Sequence, residues 1–404
     1  MKYFLLIVTT TLLGGVIESL QSKETKSESS AVNTLGIASH ELPHGKPEEV
    51  GMSSDTLKEI DKLVQQYVDS GRIEGAVIGI TRKGKVIYFE AHGILEGKTP
   101  KPMPKDSIFI MASSTKPVIG VATMILIDDG LIKPDDPVSK YIPEYKGLKV
   151  AIPLESEGKD IQLKIKAKNK LIKKPTSKTN AKKKNGWYAN NKKEVPKYRL
   201  EKVHRPLTIH DLLTHTAGLG TKGGLGSRIV TDRALPTDTL ATWVPRMAAK
   251  PLDFQPGTRW AYSPGSGLMV VARIIEIASK MSLHEFVQTR ILNPLNMKDT
   301  YWDVPEDQLY RMPNKFHKKA KGNGRFVGKD LSAYVSNAGG LFSTTRDYLH
   351  FQQMLLNGGT LFGNQILKPE TVAMMTANQV GNLFAKAAKG GPGQGHGYTT
   401  SVTL

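Results

Sequence analysis

Hydrophobic residues recur at helical spacing in several stretches of this chain. Leucine, isoleucine and valine return every three or four residues up to Gly71, which predicts a helix that begins at Ser53 or Ser54. A second and more apolar helix is predicted from residues 113 to 129, with Gly130 just past its end. Further helices are predicted at residues 208–213, 268–279, 283–291 and 347–356.

Strand-like segments lie on both sides of these helices. Two runs rich in β-branched and aromatic residues, 76–81 and 85–92, flank the turn-forming Arg82-Lys83-Gly84, which predicts a hairpin. A late β-prone stretch covers residues 397–404. The order of helix, strands, many helices and a final β stretch predicts an α+β fold rather than alternating β-α-β units.

The first twenty residues have the pattern of a secretory signal peptide. Met1-Lys2 precedes an apolar run over residues 3–17, and residues 21–30 then become abruptly polar. A buried first helix or strand is the alternative. We expect residues 1–20 to be removed, residues 21–48 to be a flexible lead-in, and the mature protein to be periplasmic or secreted. No apolar run reaches the length of about 18 residues that a transmembrane helix needs, so we expect no transmembrane span in the mature chain.

Composition and charge narrow the class of protein further. With 39% apolar and 23% charged residues, the 404-residue chain can bury a sizeable core. Its formal charge of +19 is concentrated between residues 146 and 205, where 19 Lys and Arg face 5 Asp and Glu. We interpret this Lys-rich stretch as a solvated insertion, with an RNA-binding patch as the alternative. The chain has no cysteine, which excludes disulfides, a lipoprotein anchor and a thiol nucleophile.

The pattern Ser-x-x-Lys, which can pair a nucleophile with a base, occurs twice. Ser156 and Lys159 lie in the polar Lys-rich stretch, whereas Ser113 and Lys116 open the apolar helix. Residues three apart on a helix share a face, so Lys116 can reach the Ser113 oxygen. Burial and the positive end of the helix dipole both favour the neutral amine, which can accept a proton. We therefore predict Ser113 as nucleophile and Lys116 as its base. A helix-capping serine beside a snorkelling lysine is the alternative.

Other arrangements have weaker support in the sequence. His215 and Asp211 could supply the remaining members of a Ser-His-Asp triad. A metal site is not expected, because no His-x-x-x-His pair stands on a predicted helix. Acyl transfer by a serine also needs no cofactor, and none is expected.

Short motifs follow one another along most of the chain in a fixed order. They are Val50-Gly51-Met52, residues 111–117, residues 207–219, Pro256-Gly257-Thr258, Tyr262-Ser263, residues 294–297, residues 338–341, and Ser343-Thr344 with Asp347. Because of these motifs, the chain from Val50 to Gln379 resembles the serine β-lactamase-like family. That family includes class C β-lactamases, D-alanyl-D-alanine carboxypeptidases and related esterases.

The resemblance implies roles for further residues. Tyr262 matches the tyrosine of a second motif and would pass protons between serine, lysine and leaving group. Pro264 stands where many relatives carry asparagine, which disfavours efficient β-lactam hydrolysis. His215 would have a structural role in a turn. Gly395-His396-Gly397 is a tempting third motif, but we expect that motif, the last strands and the closing helix to lie beyond Leu404.

These observations together predict an exported serine hydrolase. The expected fold is α+β and β-lactamase/transpeptidase-like: an antiparallel sheet from both chain ends flanked by helices, plus a helical region, in one catalytic domain over residues 49–404. Ser113, Lys116 and Tyr262 would act on an ester, amide or β-lactam carbonyl of a small-molecule or peptidoglycan-derived substrate. Nucleic acid is not the expected partner. The alternative is a non-catalytic pocket protein that binds a cell-envelope polymer or nucleic acid through the Lys-rich stretch.

Overall fold

The computed structural model divides the chain into two compact units. It describes residues 40–95, 101–154, 195–221, 223–230, 234–235, 237–313, 340–387 and 390–404, together with the backbone of residues 3–8. The first unit comprises Met1–Met111, Val287–Val327 and Leu341–Val372. The second comprises Ala112–Phe286, Gly328–Gly340 and Ala373–Leu404.

Helices and short strands follow one another in the irregular order of an α+β protein, which confirms the predicted class. The helices are α1 Ser54–Asp69, α2 Thr115–Asp128, α3 Ile209–Leu213, α4 Gly226–Ile229, α5 Leu240–Met247, α6 Ser266–Ser279, α7 Leu283–Val287, α8 Thr345–Leu356 and α9 Pro369–Thr376. The strands are β1 Tyr3–Val8, β2 Gly75–Arg82, β3 Lys85–Leu95, β4 Lys101–Pro102, β5 Phe109–Ile110, β6 Lys149–Pro153, β7 Tyr198–Lys202, β8 Phe342–Ser343, β9 Thr360–Leu361, β10 Asn364–Gln365, β11 Gln394–His396 and β12 Ser401–Thr403.

The first unit contains a four-stranded sheet in the order β1-β2-β3-β4. The predicted hairpin is confirmed, because β2 and β3 pair antiparallel along most of their length. Lys83 and Gly84 form its turn with φ of 49° and 77°, the left-handed values that match the twist of a two-residue hairpin. β1 pairs with β2 in the parallel direction, so the sheet is mixed.

Helices α1 and α8 pack on opposite faces of this sheet. Leu57 of α1 packs with Ala76 and Ile78 of β2, as expected because alternate residues of a strand share a face. Gly79 lies on the other face, where an added Cβ would come within 2.6 Å of the Leu349 side chain of α8. Glycine at this position therefore allows α8 to approach the strand closely.

The second unit is built around the apolar helix α2. Residues 118–126 are all buried, and α6 packs against α2, α3 and α5. A helix that is apolar around its whole circumference has to be enclosed by other elements. Helix α3 begins at Ile209, and Thr208 caps it: its hydroxyl and the Asp211 carboxylate form a reciprocal capping box.

The C-terminal residues differ from the sequence-based expectation. The predicted β-prone stretch 397–404 contains the strand β12, but this strand pairs antiparallel with β11 in a hairpin that was not predicted. Its turn closes because the N–H of Gly397 donates to the carbonyl of Thr400 at 2.8 Å. In the part of the chain that the structure describes, the four-stranded sheet draws only on residues 3–102, and β1 occupies the free edge of β2. The predicted antiparallel sheet from both chain ends is therefore not formed by these residues.

The Lys-rich stretch begins and ends in a second hairpin. β6 and β7 pair antiparallel, and Ala151 of β6 is buried and donates its N–H to the Leu252 carbonyl at 2.9 Å. Residues 155–194, with Ser156 and Lys159, lie outside the described residues, as do most of residues 1–48. The expected signal peptide and lead-in therefore stay predictions. Within the described ranges, no helix is long and apolar enough to cross a membrane.

Candidate active site

Ser113 lies in a short turn that leads into α2. The turn is a 3-10 helix, Ala112–Ser114, and the α-helix begins at Thr115, two residues later than predicted. Ala112 has a φ of 47°, a left-handed conformation that costs an L-residue about 1–2 kcal/mol and bends the chain before Ser113. Ser113 is exposed, while most of α2 is buried. A substrate can thus reach a serine whose helix is anchored in the core.

The structure brings the three predicted site residues together. Ser113 Oγ lies 2.7 Å from the Tyr262 hydroxyl and 3.2 Å from Lys116 Nζ. Lys116 Nζ also lies 5.2 Å from the centre of the Tyr262 ring. Ser113 lies in the 3-10 turn before α2 and Lys116 in the first turn of α2, whereas Tyr262 comes from the segment before α6. Because α6 packs on α2, a residue far away in sequence reaches the same point.

Burial sets the charge of Lys116. Only 4% of its surface is exposed, and this burial lowers the pKa of its amine because the ammonium form loses hydration. The neighbouring Tyr262 hydroxyl acts in the opposite direction and offsets only part of the shift. A lowered pKa increases the fraction of neutral amine near neutral pH, and the neutral amine is the form that can accept a proton.

Tyr262 stands beside a cluster of aromatic and imidazole rings, here called the ring cluster. The His215 ring centre lies 4.8 Å from that of Tyr262. Trp260 and His396 lie 5.8 and 5.3 Å from His215, and Phe384 packs on Trp260 at 4.7 Å. Burial lowers the pKa of His396, which favours its neutral form. Sequence reasoning missed this cluster, because its members come from three distant segments and no spacing rule joins them.

The contacts of Asp211 do not support the Ser-His-Asp alternative. Its carboxylate accepts two hydrogen bonds from Arg205, at 2.6 and 2.7 Å, and one from the Thr208 hydroxyl at 2.9 Å. His215 Nδ1 accepts from the backbone N–H of Ser263 at 3.4 Å. In a triad, the same nitrogen would donate to the aspartate. Asp211 instead fixes the start of α3.

His396, the central residue of the possible third motif Gly395-His396-Gly397, is buried in the ring cluster. Its exposed fraction is 4%, and its Nδ1 lies 2.7 Å from the Gly397 carbonyl oxygen. Its ring also contacts Trp260 and Phe384, both at 5.5 Å between centres. Among the residues with described side chains, no three His, Cys, Asp or Glu are grouped so that they could hold a metal ion.

Comparison with known families identifies the class of protein to which this fold belongs. The model of the Beta-lactamase family matches residues 60–403. The chain therefore belongs to the β-lactamase family of serine hydrolases and has the β-lactamase/transpeptidase-like fold.

Individual relatives are named as different kinds of enzyme. Esterase EstB of Burkholderia gladioli is 26% identical over 373 residues, which cover 85% of this chain and 79% of the esterase. A D-alanyl-D-alanine carboxypeptidase-like protein of Salmonella typhimurium is also 26% identical, over 83% of this chain and 72% of its own. The structure of simvastatin synthase from Aspergillus terreus has a TM-score of 0.61 at 19% identity, over 87% of this chain and 84% of that one, and supports the fold alone.

Proposed function

We propose that this protein hydrolyses esters through a covalent acyl-enzyme on Ser113. One observation carries the proposal: a buried lysine and a tyrosine hydroxyl both lie within hydrogen-bonding distance of an exposed serine oxygen, at 3.2 and 2.7 Å. A serine hydroxyl attacks a carbonyl efficiently only when a base takes its proton. Lys116, whose pKa is lowered by burial, meets that need.

The reaction proceeds in two acyl-transfer steps. Neutral Lys116 accepts the Ser113 proton, directly or through the Tyr262 hydroxyl, as the oxygen bonds to the substrate carbonyl carbon. The tetrahedral adduct then expels the alcohol, which takes up the proton held by Lys116 or Tyr262. Water attacks the resulting ester of Ser113 with the same groups as base, and the carboxylic acid leaves as the serine regains its proton.

An ester is favoured over a β-lactam by the residue that follows the second motif. Pro264 is exposed and lacks the side-chain amide that would bind the carbonyl of a β-lactam substrate. The similarity to an esterase supports the same choice. We expect p-nitrophenyl acetate to be hydrolysed with a kcat/KM roughly tenfold above those of nitrocefin and of a D-Ala-D-Ala peptide, since a missing hydrogen bond to the substrate carbonyl costs up to about 1.5 kcal/mol. A hydrolysis panel of the three would show it, and preferred turnover of nitrocefin would contradict the ester assignment.

The nucleophile is tested by a pair of serine variants. Ser113→Ala should lower ester turnover by roughly 10⁴-fold or more and abolish labelling by a fluorophosphonate, because no acyl-enzyme can form. Ser156→Ala is the matched control, since Ser156 stands in the second Ser-x-x-Lys pattern. The control should keep both activities. Losses of similar size in the two variants would overturn the assignment of Ser113.

We also propose that the protein is exported and loses residues 1–20, including β1, so that this sheet of the mature protein consists of β2, β3 and β4. The proposal rests on the short apolar run after Met1-Lys2 and on the polar segment that follows it. N-terminal sequencing of the protein recovered from the periplasm or medium should begin after residue 20. Recovery of the intact N-terminus from the cytoplasm alone would contradict it.

A further inference from the structure

His215 adopts an unusual backbone conformation in the turn after α3. Its φ is 61°, in the left-handed region that non-glycine residues rarely occupy and that asparagine, aspartate and histidine tolerate best. The side chain is buried, with 4% of its surface exposed. A strained residue in a buried turn persists only where the surrounding contacts hold it.

Those contacts bracket the candidate catalytic tyrosine. The main-chain carbonyl of His215 accepts the N–H of Ala261 at 3.0 Å, and its Nδ1 accepts the N–H of Ser263 at 3.4 Å. Its ring lies 4.8 Å from the ring of Tyr262, tilted by 55°. One residue therefore contacts the tyrosine and both of its chain neighbours. The next link is Ser263 Oγ, which accepts the N–H of Gly267 at 3.2 Å and so ties the tripeptide to α6.

We infer that His215 is a positioning residue that holds the Tyr262 hydroxyl in line with Ser113, an inference that rests on the proposed function. The Nδ1 atom faces the N–H of Ser263 as an acceptor, so this nitrogen carries no proton in that contact. The left-handed φ brings the carbonyl and Nδ1 of His215 to the two chain neighbours of the tyrosine. Displacing a reacting group by about 1 Å can cost roughly a hundredfold in rate, so such a bracket matters for catalysis.

Two substitutions separate the acceptor from the backbone conformation. Asn tolerates the left-handed region, and its Oδ1 occupies the place of Nδ1, so His215→Asn should keep kcat within about threefold of wild type. His215→Gly also accepts this backbone but has no acceptor, and it should lower kcat by roughly 10- to 100-fold with KM within about twofold. Equal kcat in the two variants would overturn the inference. If the glycine variant does not fold, His215→Ala removes the same acceptor and replaces it, and because alanine also strains the left-handed backbone, its kcat is compared with that of His215→Asn only at temperatures where circular dichroism shows both variants folded.

A double-mutant cycle with Tyr262→Phe tests whether His215 acts through the tyrosine. Without the hydroxyl there is nothing left to align, so adding His215→Gly, or His215→Ala if it replaces glycine, to Tyr262→Phe should change the fluorophosphonate labelling rate by less than about twofold. A purely structural role would instead give the same loss in both backgrounds. That result would contradict the inference.

His210 provides the matched control histidine. It is also partly buried beside a tyrosine, with its Nδ1 3.0 Å from the Tyr398 hydroxyl. His210→Asn and His210→Ala should give the same kcat even if they lower the unfolding temperature. If Ser113→Ala is inactive but His215→Asn and His215→Gly have equal kcat, the inference about His215 is wrong and the proposed function stands. A fully active Ser113→Ala would refute the proposed function instead.

Discussion

At the scale of single residues, the burial of Lys116 leads to the most specific prediction. In the proposed mechanism its amine acts as a base, which requires the neutral form, and burial lowers its pKa and so favours that form. The side chain must therefore be able to lose its proton. A guanidinium stays protonated at any pH at which the protein is folded, so arginine cannot replace lysine here.

We predict that Lys116→Arg and Lys116→Ala are both reduced by at least about a hundredfold in kcat/KM for p-nitrophenyl acetate. In the unchanged protein, kcat/KM should fall as the pH drops through the pKa of Lys116, because the amine becomes protonated. A pH–rate profile measures this acid limb, and its midpoint should lie below the pKa of a free lysine. An active arginine variant would mean that another group is the base.

At the scale of secondary structure elements, the close approach of the C-terminal hairpin to α2 depends on a glycine. A Cβ at Gly120 would overlap the Thr399 side chain and lie 3.1 Å from the Met375 side chain. The backbone of Thr399 cannot easily give way, since its φ is 64° and its N–H donates to the Leu213 carbonyl at 3.0 Å. The helix that carries Ser113 and Lys116 is thus fitted to residues near the other end of the chain.

Gly120→Ala should therefore destabilise the protein although alanine is the better helix former. The gain in helix propensity is at most about 1 kcal/mol, whereas overpacking a buried contact costs about 1–3 kcal/mol, so we expect a net loss of roughly 1 kcal/mol. Thermal unfolding should show it as a lower midpoint. Gly147→Ala is the control, because nothing lies within 4 Å of a Cβ built there. An unchanged or higher midpoint for Gly120→Ala would show that the hairpin is not packed tightly on α2.

At the scale of the whole molecule, the distribution of charge is the outstanding feature. Residues 155–194 contain 13 lysines against 4 acidic residues, so their removal lowers the formal charge from +19 to +10. They are flanked by β6 on one side and β7 on the other, and these two strands pair with each other. A replacement that spares both strands can therefore be designed.

Replacing residues 155–194 by a Gly-Ser linker should change ester turnover by less than about tenfold, because Ser113, Lys116 and Tyr262 come from other segments. It should also weaken retention on heparin, since charged segments bind anionic polymers through long-range attraction. A second variant, with the lysines changed to glutamine at full length, separates charge from length. Loss of turnover in a folded linker variant would show that the stretch belongs to the site. Anion binding without any esterase activity in the unchanged protein would favour the alternative of a pocket protein.

The class of the protein and its local elements could be predicted from the amino-acid sequence alone. Periodicity placed α1 and the β2–β3 hairpin, because side-chain spacing and turn residues act over a few positions. The position of Ser113 at the start of an apolar helix distinguishes it from Ser156. The order of the short motifs is sufficient to identify the family. Tyr262 was found only through that resemblance, since nothing in its local pattern links it to Ser113.

The way in which distant segments meet could not be predicted from the sequence and is seen in the folded protein. The packing of α6 on α2 brings the Tyr262 hydroxyl within 2.7 Å of Ser113, and the turn at His215 contacts both neighbours of that tyrosine. The shift of the helix start to Thr115 and the C-terminal hairpin were likewise not predicted. Such features depend on contacts between residues far apart in the chain, and those contacts are fixed by burial and packing in three dimensions rather than by local sequence.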